Sequence, residues 1–403
     1  MVDLTHLLEL NRLATQETNR FPLKRDIYKS LVQNSGKHFT GIVGPRGVGK
    51  TILLKQMMQA FNQSFYLSCD TIEDDLFETI KQLNQDLGFQ HFFIDEIHFQ
   101  PHFEESLKKM YDFLDVRAFF TSSVALALYQ SRIDLSRRVL LRELYPFSFR
   151  EYLRFKFNVD IEPIDLDDLI EKKWPIELLQ YADQFNLFLH GGLLPFALEE
   201  TNPLQILENV VRTVIMKDIP RMGNVSMAEL DMMEKMLTFI GRSSIDGINY
   251  STLSRNLGIT KYKAEQYIGF FEKAFILQRV YPRGTNVLKE PKVVMSVPYR
   301  LLYASFESAI GGLREDYFVE KMKGMNIDVH YLKSTRGKKT PDYLLQHEGK
   351  DIVIEIGGKG KGREQFKGIQ IEGKIILTHS NEVSELHRPL FLLGFVGKNE
   401  INS

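Results

Sequence analysis

The 403-residue sequence has a single cysteine and no excess of charge of either sign. One cysteine, Cys69, excludes an intramolecular disulfide and a cysteine-based zinc site, which is typical of a reducing compartment. With 51 basic and 52 acidic side chains, the chain does not resemble a protein that binds polyanions over its whole surface. A local basic patch remains compatible with this balance, because net charge is only a sum.

Long hydrophobic runs are also missing. The N-terminal residues carry acids early and have no apolar core of the kind found in secretory leaders. No stretch approaches the roughly 18 uninterrupted apolar residues of a membrane-spanning helix. We therefore predict a soluble, cytoplasmic protein with no membrane partner, whose length suits two to four domains of about 100–200 residues each.

The first part of the chain alternates short apolar runs with helical patterns. This alternation predicts a parallel sheet with helices on both faces, an α/β fold. The predicted strands are HFTGIVG, QSFYLS, HFFID, RAFFTSS and VLLREL, and the predicted helices between them are TILLKQMMQAF, IEDDLFETIKQL and FEESLKKMYDFL.

A glycine-rich segment between the first of these strands and the first of these helices matches the pattern G-x-x-x-x-G-K-[ST] in full. Its glycines permit a tight loop whose backbone N–H groups surround a phosphate, Lys50 reaches the β- and γ-phosphates, and Thr51 offers a hydroxyl to Mg²⁺. The sequence therefore predicts bound ATP and Mg²⁺, with nucleotide contacts from Gly44, Pro45, Arg46, Gly47, Val48, Gly49, Lys50, Thr51 and Ile52.

Two acids end the apolar strand FFIDE. Asp95 is placed to hold Mg²⁺ together with Thr51, and Glu96 is placed to polarise the water that attacks the γ-phosphate. The next strand ends in Thr121-Ser122-Ser123, where a hydroxyl orients that water or senses the γ-phosphate. The alternative for these residues is a plain cap of the following helix.

An arginine pair, Arg137-Arg138, precedes the last strand of the sheet. An arginine at this place would neutralise charge in the transition state, either within the chain or across a subunit interface. The alternative is a pair of ordinary surface arginines.

The ordered series GPRGVGKT, FFIDEIH, FFTSS, LSRRVLLRELYPFSFREYL and HGGLLPFAL resembles prokaryotic AAA+-type ATPases that carry a C-terminal domain of unknown function similar to restriction endonucleases. The resemblance covers nearly the whole chain and favours Arg138 as an arginine finger or sensor, beside the catalytic residues Lys50, Glu96, Thr121 and Ser123. Two departures from the family pattern stand out, since Arg137 and Ser122 each replace a glycine.

We expect four regions. They are a P-loop ATPase core with N-terminal helices (1–155), a helical lid or linker (156–226), a winged helix (227–284) and a restriction-endonuclease-like α+β domain with a degenerate site (285–403). An ATPase that moves these domains on a DNA or protein client is the favoured function. The alternatives are a slow nucleotide-dependent switch that acts through its partners and an ATP-regulated, Mg²⁺-dependent nuclease. A monomer and a homo-oligomer are both compatible with the sequence.

The winged-helix prediction rests on a helix, a turn at Gly258 and a second helix capped by Thr260. Lys261 and Lys263 begin that second helix, where such folds touch DNA. Winged helices also serve as protein-contact modules, and the basic density here is thin.

The C-terminal domain is compared with nucleases that use a D-x(n)-E-x-K pattern to bind Mg²⁺. Asp342 and Glu355 are its candidate ligands, with Glu315 as a third, but Gly357 stands where the lysine is expected. Lys359 and Lys361 are candidate substitutes. Residues 285–403 hold 18 basic and 15 acidic side chains, and the segment Lys333–Lys339 concentrates four positive charges. A domain that binds nucleic acid or protein without cutting is therefore the favoured prediction for this part of the chain.

Overall fold

The structure is a computed structural model. It describes residues 4–34, 36–72, 74–123, 135–243, 247–284, 290–332, 340–358, 361–371 and 373–397. Contacts divide the chain into two compact units, Met1–Pro146 and Phe147–Ser403, and each unit is treated by itself below. Among the described residues, no helix is both long enough and apolar enough to cross a membrane.

The first unit is built on a parallel five-stranded sheet of order β2-β3-β4-β1-β5. Its strands are β1 Phe39–Val43, β2 Ser64–Ser68, β3 His91–Asp95, β4 Arg117–Ser122 and β5 Val139–Glu143. β4 therefore lies between the strand that precedes the glycine-rich loop and the strand that ends in Asp95. The five predicted strands are confirmed.

The helices of the first unit are α1 Leu4–Glu17, α2 Tyr28–Val32, α3 Lys50–Met58, α4 Leu76–Leu87 and α5 Phe103–Phe113. Local signals set their ends: the Asp75 carboxylate accepts a hydrogen bond from the Glu78 N–H at 3.0 Å at the start of α4, and Gly88 ends that helix with a φ of 75°. The three predicted crossover helices are confirmed. The helix expected after Ser123 falls in 124–134, outside the described residues.

Burial of the strands in the core of this unit explains why their sequences are continuous apolar runs. All five residues of β1 are buried, since helices cover both faces of the sheet. Phe93 of β3 and Phe119 of β4 stack with their ring centres 5.0 Å apart. The polar residues that follow these strands are thereby fixed at the carboxyl edge of a rigid sheet.

The second unit begins with helical structure. Its α-helices are α6 Phe149–Phe157, α7 Leu166–Glu171, α8 Ala182–Leu187, α9 Pro203–Thr213, α10 Ile219–Met222, α11 Met227–Arg242, α12 Tyr250–Leu257, α13 Lys261–Lys273 and α14 Phe306–Gly324. Short 3-10 or π turns occupy Ile176–Tyr181, Phe188–Gly192, Pro195–Leu198, Val214–Asp218, Tyr299–Leu302, Arg363–Phe366 and Leu390–Phe395.

Two sheets complete the second unit. β6 Leu277–Val280 pairs antiparallel with β7 Lys292–Met295, and a five-stranded sheet has the order β12-β11-β10-β9-β8. The strands of the larger sheet are β8 Asp328–Tyr331, β9 Tyr343–His347, β10 Lys350–Gly357, β11 Gly373–Thr378 and β12 His387–Pro389. Helix α14 packs against β8 and β10 of this sheet.

One strand pairs outside the domain in which its position places it. β7 falls in the region 285–403 that we expect to form the C-terminal domain, but it pairs with β6 and packs near helix α11. All four residues of β7 are buried, and burial of such a strand carries no information about which strand it will join. The strand pair that follows α13 thus extends to Met295, beyond the expected boundary at residue 284.

Candidate nucleotide site and C-terminal cluster

The glycine-rich loop connects β1 to α3 at the carboxyl edge of the first sheet. Gly49 has a φ of 89°, a conformation that favours glycine, and α3 begins at the next residue. The Lys50 ammonium donates to the carbonyl oxygens of Gly44 and Pro45, each at 2.9 Å. The loop therefore forms a closed ring around its lysine at the N-terminus of a helix, which is an anion-binding geometry.

Asp95 collects hydroxyl groups from three elements. Its Oδ2 accepts from Thr51 at 2.7 Å and from the Tyr66 hydroxyl at 2.9 Å, and its Oδ1 accepts from the Thr121 hydroxyl. Burial raises the pKa of Asp95 and the charge of Glu96 adds to this rise, against the hydrogen bonds from Thr121, Thr51 and Tyr66.

The oxygen atoms of Thr51 and Asp95 fit a magnesium ion. Thr51 and Asp95 place a hydroxyl and a carboxylate side by side, which are oxygen ligands that Mg²⁺ takes in nucleotide sites. A buried carboxylate whose pKa is raised gains from a cation, because the cation favours its ionised form. When bound, Mg²⁺ would neutralise charge on the phosphates.

Glu96 lies immediately after Asp95 in a left-handed backbone conformation, with a φ of 49°. Its N–H donates to the Thr121 hydroxyl at 2.9 Å, which holds this unfavourable turn. Its carboxylate accepts from the Ser123 N–H at 3.0 Å and from the Ser123 hydroxyl at 3.1 Å. Burial alone would raise the pKa of Glu96, but Lys50, His98, the Ser123 amide and Arg46 together lower it. An oriented, ionised carboxylate beside the loop is able to accept a proton from water.

In the second unit, Glu315 of α14, Asp342 before β9 and Glu355 of β10 are electrostatic neighbours. Burial raises the pKa of Asp342 to about 7, and the charges of Glu315 and Glu355 add to the rise. Among the described residues, however, these three acids do not form a group whose ligand atoms lie within 4.8 Å of one another. The three acids are therefore not gathered around a common point in this structure, and a second metal site at Glu315, Asp342 and Glu355 stays a prediction.

Two lysines neutralise this cluster instead. Lys292 lies 2.6 Å from Glu315 Oε2, and Lys361 forms an ion pair with Glu355 Oε1. A Cβ atom at Gly357 would stand 2.6 Å from Cγ of Lys361, so the lysine stem fills the space beside the position where a lysine was expected. Lysines therefore pair with two of the three acids, whereas Oε2 of the buried Glu355 has no hydrogen-bond partner among the described residues. Lys359 and the basic segment Lys333–Lys339 lie outside the described residues.

The geometry of the first unit agrees with comparisons made on the sequence. Residues 36–153 match the family model of a AAA domain. Residues 183–297 match a second model, described as a domain of unknown function (DUF8612). The P-loop, the Asp95 network and this family match together support a nucleotide-binding, AAA-type P-loop domain.

Relatives of the whole chain include two uncharacterized proteins of Methanocaldococcus jannaschii. MJ1637 is 27% identical over 402 residues, which cover 88% of this chain and 83% of that protein. MJ1544 is 25% identical over 366 residues, which cover 85% of this chain and 80% of that protein.

Similar solved structures include a Walker-type ATPase of Pyrococcus abyssi, with 13% identity, a TM-score of 0.39, and coverage of 68% of this chain and 92% of that chain. A Thermotoga maritima RuvB mutant has 16% identity and a TM-score of 0.32, and the match covers 63% of this chain and 88% of that chain. The Aeropyrum pernix ORC1 protein in complex with DNA has 10% identity and a TM-score of 0.28, and the match covers 77% of this chain and 94% of that chain.

Arg138 lies away from the P-loop of its own chain in this structure. Its carbonyl accepts from the Phe39 N–H at the amino end of β1, whereas the P-loop follows the carboxyl end of that strand. Its guanidinium binds Asp112 with two hydrogen bonds of 2.8 and 2.9 Å. The role of Arg138 as an arginine finger or sensor stays a prediction. The exposed Arg137 stands beside it on the same edge of the sheet.

The lysines of the predicted winged helix are engaged with acids. Thr260 caps α13 as expected, since its hydroxyl accepts from the Lys263 N–H at 3.2 Å. Lys261, however, lies 2.7 Å from Glu290, and Lys263 lies 3.2 Å from Glu229. The start of α13 therefore carries less net positive charge than its sequence indicates.

Three residues at the nucleotide site escaped the sequence reasoning. Arg25 donates to the Val48 carbonyl of the P-loop at 2.9 Å and to the Tyr145 carbonyl at 2.8 Å. Tyr66 binds Asp95, and His98 lies 3.3 Å from the Glu96 carboxylate. His98 could have been predicted from the sequence, because it follows Glu96 by two residues. The other two depend on tertiary contacts.

Proposed function

We propose that the AAA domain of this protein binds and hydrolyses ATP with Mg²⁺. The observation that carries the proposal is the shared network in which Asp95 bonds Thr51 and Thr121 while Ser123 orients Glu96. Lys50 would bind the β- and γ-phosphates, Thr51 and Asp95 would hold the metal, and Glu96 would take the proton of the attacking water. Thr121 and Ser123 act by fixing the two acids.

Replacement of Lys50 tests the binding half of this proposal. Lys50→Ala removes the ammonium from the P-loop, so we expect loss of detectable Mg²⁺-ATP binding in equilibrium titration with a fluorescent ATP analogue. Lys81→Ala is the matched control, since Lys81 is an exposed lysine of α4 paired with Glu78. Equal ATP affinity of Lys50→Ala and wild type would refute the proposed phosphate site.

We further propose that ATP turnover drives movement of the second unit on a DNA or protein client. Support comes from the joining of a complete phosphate site to a large second unit with its own core. Steady-state ATP turnover with and without DNA tests this point. Stimulation by DNA supports a motor with a DNA client, and slow turnover that DNA does not change favours a nucleotide-dependent switch acting through a protein partner.

The second unit is proposed to bind its client without cutting it. Gly357, which stands where the D-x(n)-E-x-K pattern has its lysine, supports this, as does the separation of Glu315, Asp342 and Glu355 beyond the mutual distance of metal ligands in the described structure. Plasmid DNA incubated with Mg²⁺ or Mn²⁺ should be cleaved by neither the wild type nor Asp342→Ala. Cleavage by the wild type that is lost in Asp342→Ala would show an active nuclease.

A further inference from the structure

A cavity of about 510 Å³ lies within the second unit, between helix α11, helix α14 and strand β7. Its volume falls in the range of roughly 300–1,000 Å³ that small-molecule sites occupy. Four cationic side chains line it, together with two acids and the ring-bearing residue Tyr303. The cations are Arg242, Lys292, Arg300 and Arg314, and the acids are Glu315 and Asp316.

Two of these cations are fully engaged with the two acids. Arg300 binds Asp316 with Nε–Oδ2 and Nη2–Oδ1 distances of 2.6 and 3.0 Å, and both side chains are buried. Lys292 binds Glu315 at 2.6 Å. These pairs cancel, so the two remaining arginines give the wall a net charge of about +2.

Arg314 is the distinctive member of the wall. Among the described residues no carboxylate pairs with it, and its Nε is buried without a hydrogen-bond partner. Burial lowers the pKa of Arg314, yet a guanidinium stays protonated in proteins. Because Arg314 is half-buried, its charge is partly desolvated without a counter-ion, and an anion in the cavity would offset that cost.

Arg242 offers a second donor group on the same wall. It is exposed, and its Nε donates to the Tyr303 carbonyl at 3.1 Å. Within the described part of the chain no residue bonds its terminal nitrogens. A planar guanidinium binds two oxygens of a tetrahedral phosphate through two parallel N–H···O bonds, and arginine is enriched where such bidentate recognition occurs.

We propose that this cavity binds the phosphate group of a nucleotide, either as a free mononucleotide or as the phosphorylated end of a nucleic acid. Arg314 and Arg242 bind the phosphate, and the volume left over, which Tyr303 also lines, accommodates the nucleoside. The site is separate from the P-loop, so the proposal does not depend on ATP hydrolysis.

Calorimetric titration of the full chain tests the proposal. Lys50→Ala serves as the background, because it silences the P-loop. AMP and a 5′-phosphorylated dinucleotide are the probes, and adenosine and the unphosphorylated dinucleotide are their controls. We expect at least one phosphorylated probe to bind, and its affinity to fall roughly 10- to 100-fold when the phosphate is removed. Binding of AMP identifies a mononucleotide site, and binding of the dinucleotide alone identifies a nucleic-acid end.

Arginine variants in the same background localise the binding. Arg314→Ala should weaken the bound probe by roughly 10- to 100-fold, whereas Arg363→Ala, at an exposed arginine paired with Glu385, should leave its affinity unchanged. Arg242→Gln is the second variant, at an exposed position where folding is not at stake, and it should also weaken binding. Absence of binding by every phosphorylated probe, or equal losses in Arg363→Ala and the two cavity variants, would overturn the proposal.

Discussion

At the level of single residues, the hydrogen-bond network of the first unit centres on the carboxylate of Asp95. Thr51, Tyr66 and Thr121 donate to it from α3, β2 and β4, so three elements set its position and its proton affinity. The motifs were sufficient to predict Thr51, Asp95 and Thr121 in one site, and their side chains are joined by hydrogen bonds. They were not sufficient for Tyr66, because the pairing that puts β2 next to β3 is a property of the folded sheet.

The hydroxyl of Tyr66 should control the pH dependence of turnover. Asp95 must be ionised to hold a cation. Because the pKa of Asp95 is raised in the folded protein, we expect Mg²⁺-dependent activity to be lost as the pH falls through that pKa. The Tyr66 hydrogen bond lowers that pKa, so Tyr66→Phe should move the acid limb of the kcat profile to higher pH. On that limb we expect turnover to fall by roughly 3- to 10-fold, with a smaller change at high pH.

The ring of Tyr66 stays in place in this variant, and an unchanged midpoint of thermal unfolding confirms that the fold is intact. Superimposable pH profiles for Tyr66→Phe and wild type would contradict a role of this hydroxyl in setting the charge of Asp95.

At the level of elements, the order of the strands explains the site. β4 lies between β1 and β3, and this brings Thr121 within hydrogen-bond distance of Asp95 and places Ser123 beside Glu96. Strand–helix alternation predicted the parallel sheet and its elements, because each crossover helix carries its own apolar stripe. Strand order is set by packing and was not predicted.

Long-range contacts are the part of the structure that the sequence did not predict. Arg138 stands close to β5 in sequence, but its guanidinium binds Asp112 and its carbonyl binds the amino end of β1, away from the P-loop. Strand β7 pairs with β6 and not with the C-terminal sheet. Lys361, a candidate substitute for the motif lysine, forms an ion pair with Glu355, a contact that spacing alone did not decide.

At the level of the whole molecule, the position of the arginine pair bears on assembly. Arg138 is bound to Asp112 and faces away from its own P-loop, whereas the adjacent Arg137 is exposed. If an arginine of this pair completes the nucleotide site, it must do so at the nucleotide of another copy. We therefore expect Arg137→Ala to lower ATP turnover by roughly 10³-fold while ATP affinity is kept.

Mixing two inactive variants checks this expectation. Lys50→Ala retains Arg137, and Arg137→Ala retains the P-loop, so a mixture should recover part of the wild-type turnover. Arg138→Ala provides the neighbouring control. No recovery in the mixture, or full activity of Arg137→Ala alone, would contradict an arginine shared between copies.

The central claim, that Glu96 is the base of an ATP-hydrolysing site, is tested most directly by the steady-state phosphate release of Glu96→Gln at saturating Mg²⁺-ATP. The amide keeps the shape of the side chain and its bonds to Ser123 but cannot take a proton from water. We predict turnover lower than wild type by roughly 10²- to 10⁴-fold, with ATP affinity unchanged. Phosphate release at the wild-type rate would contradict the account.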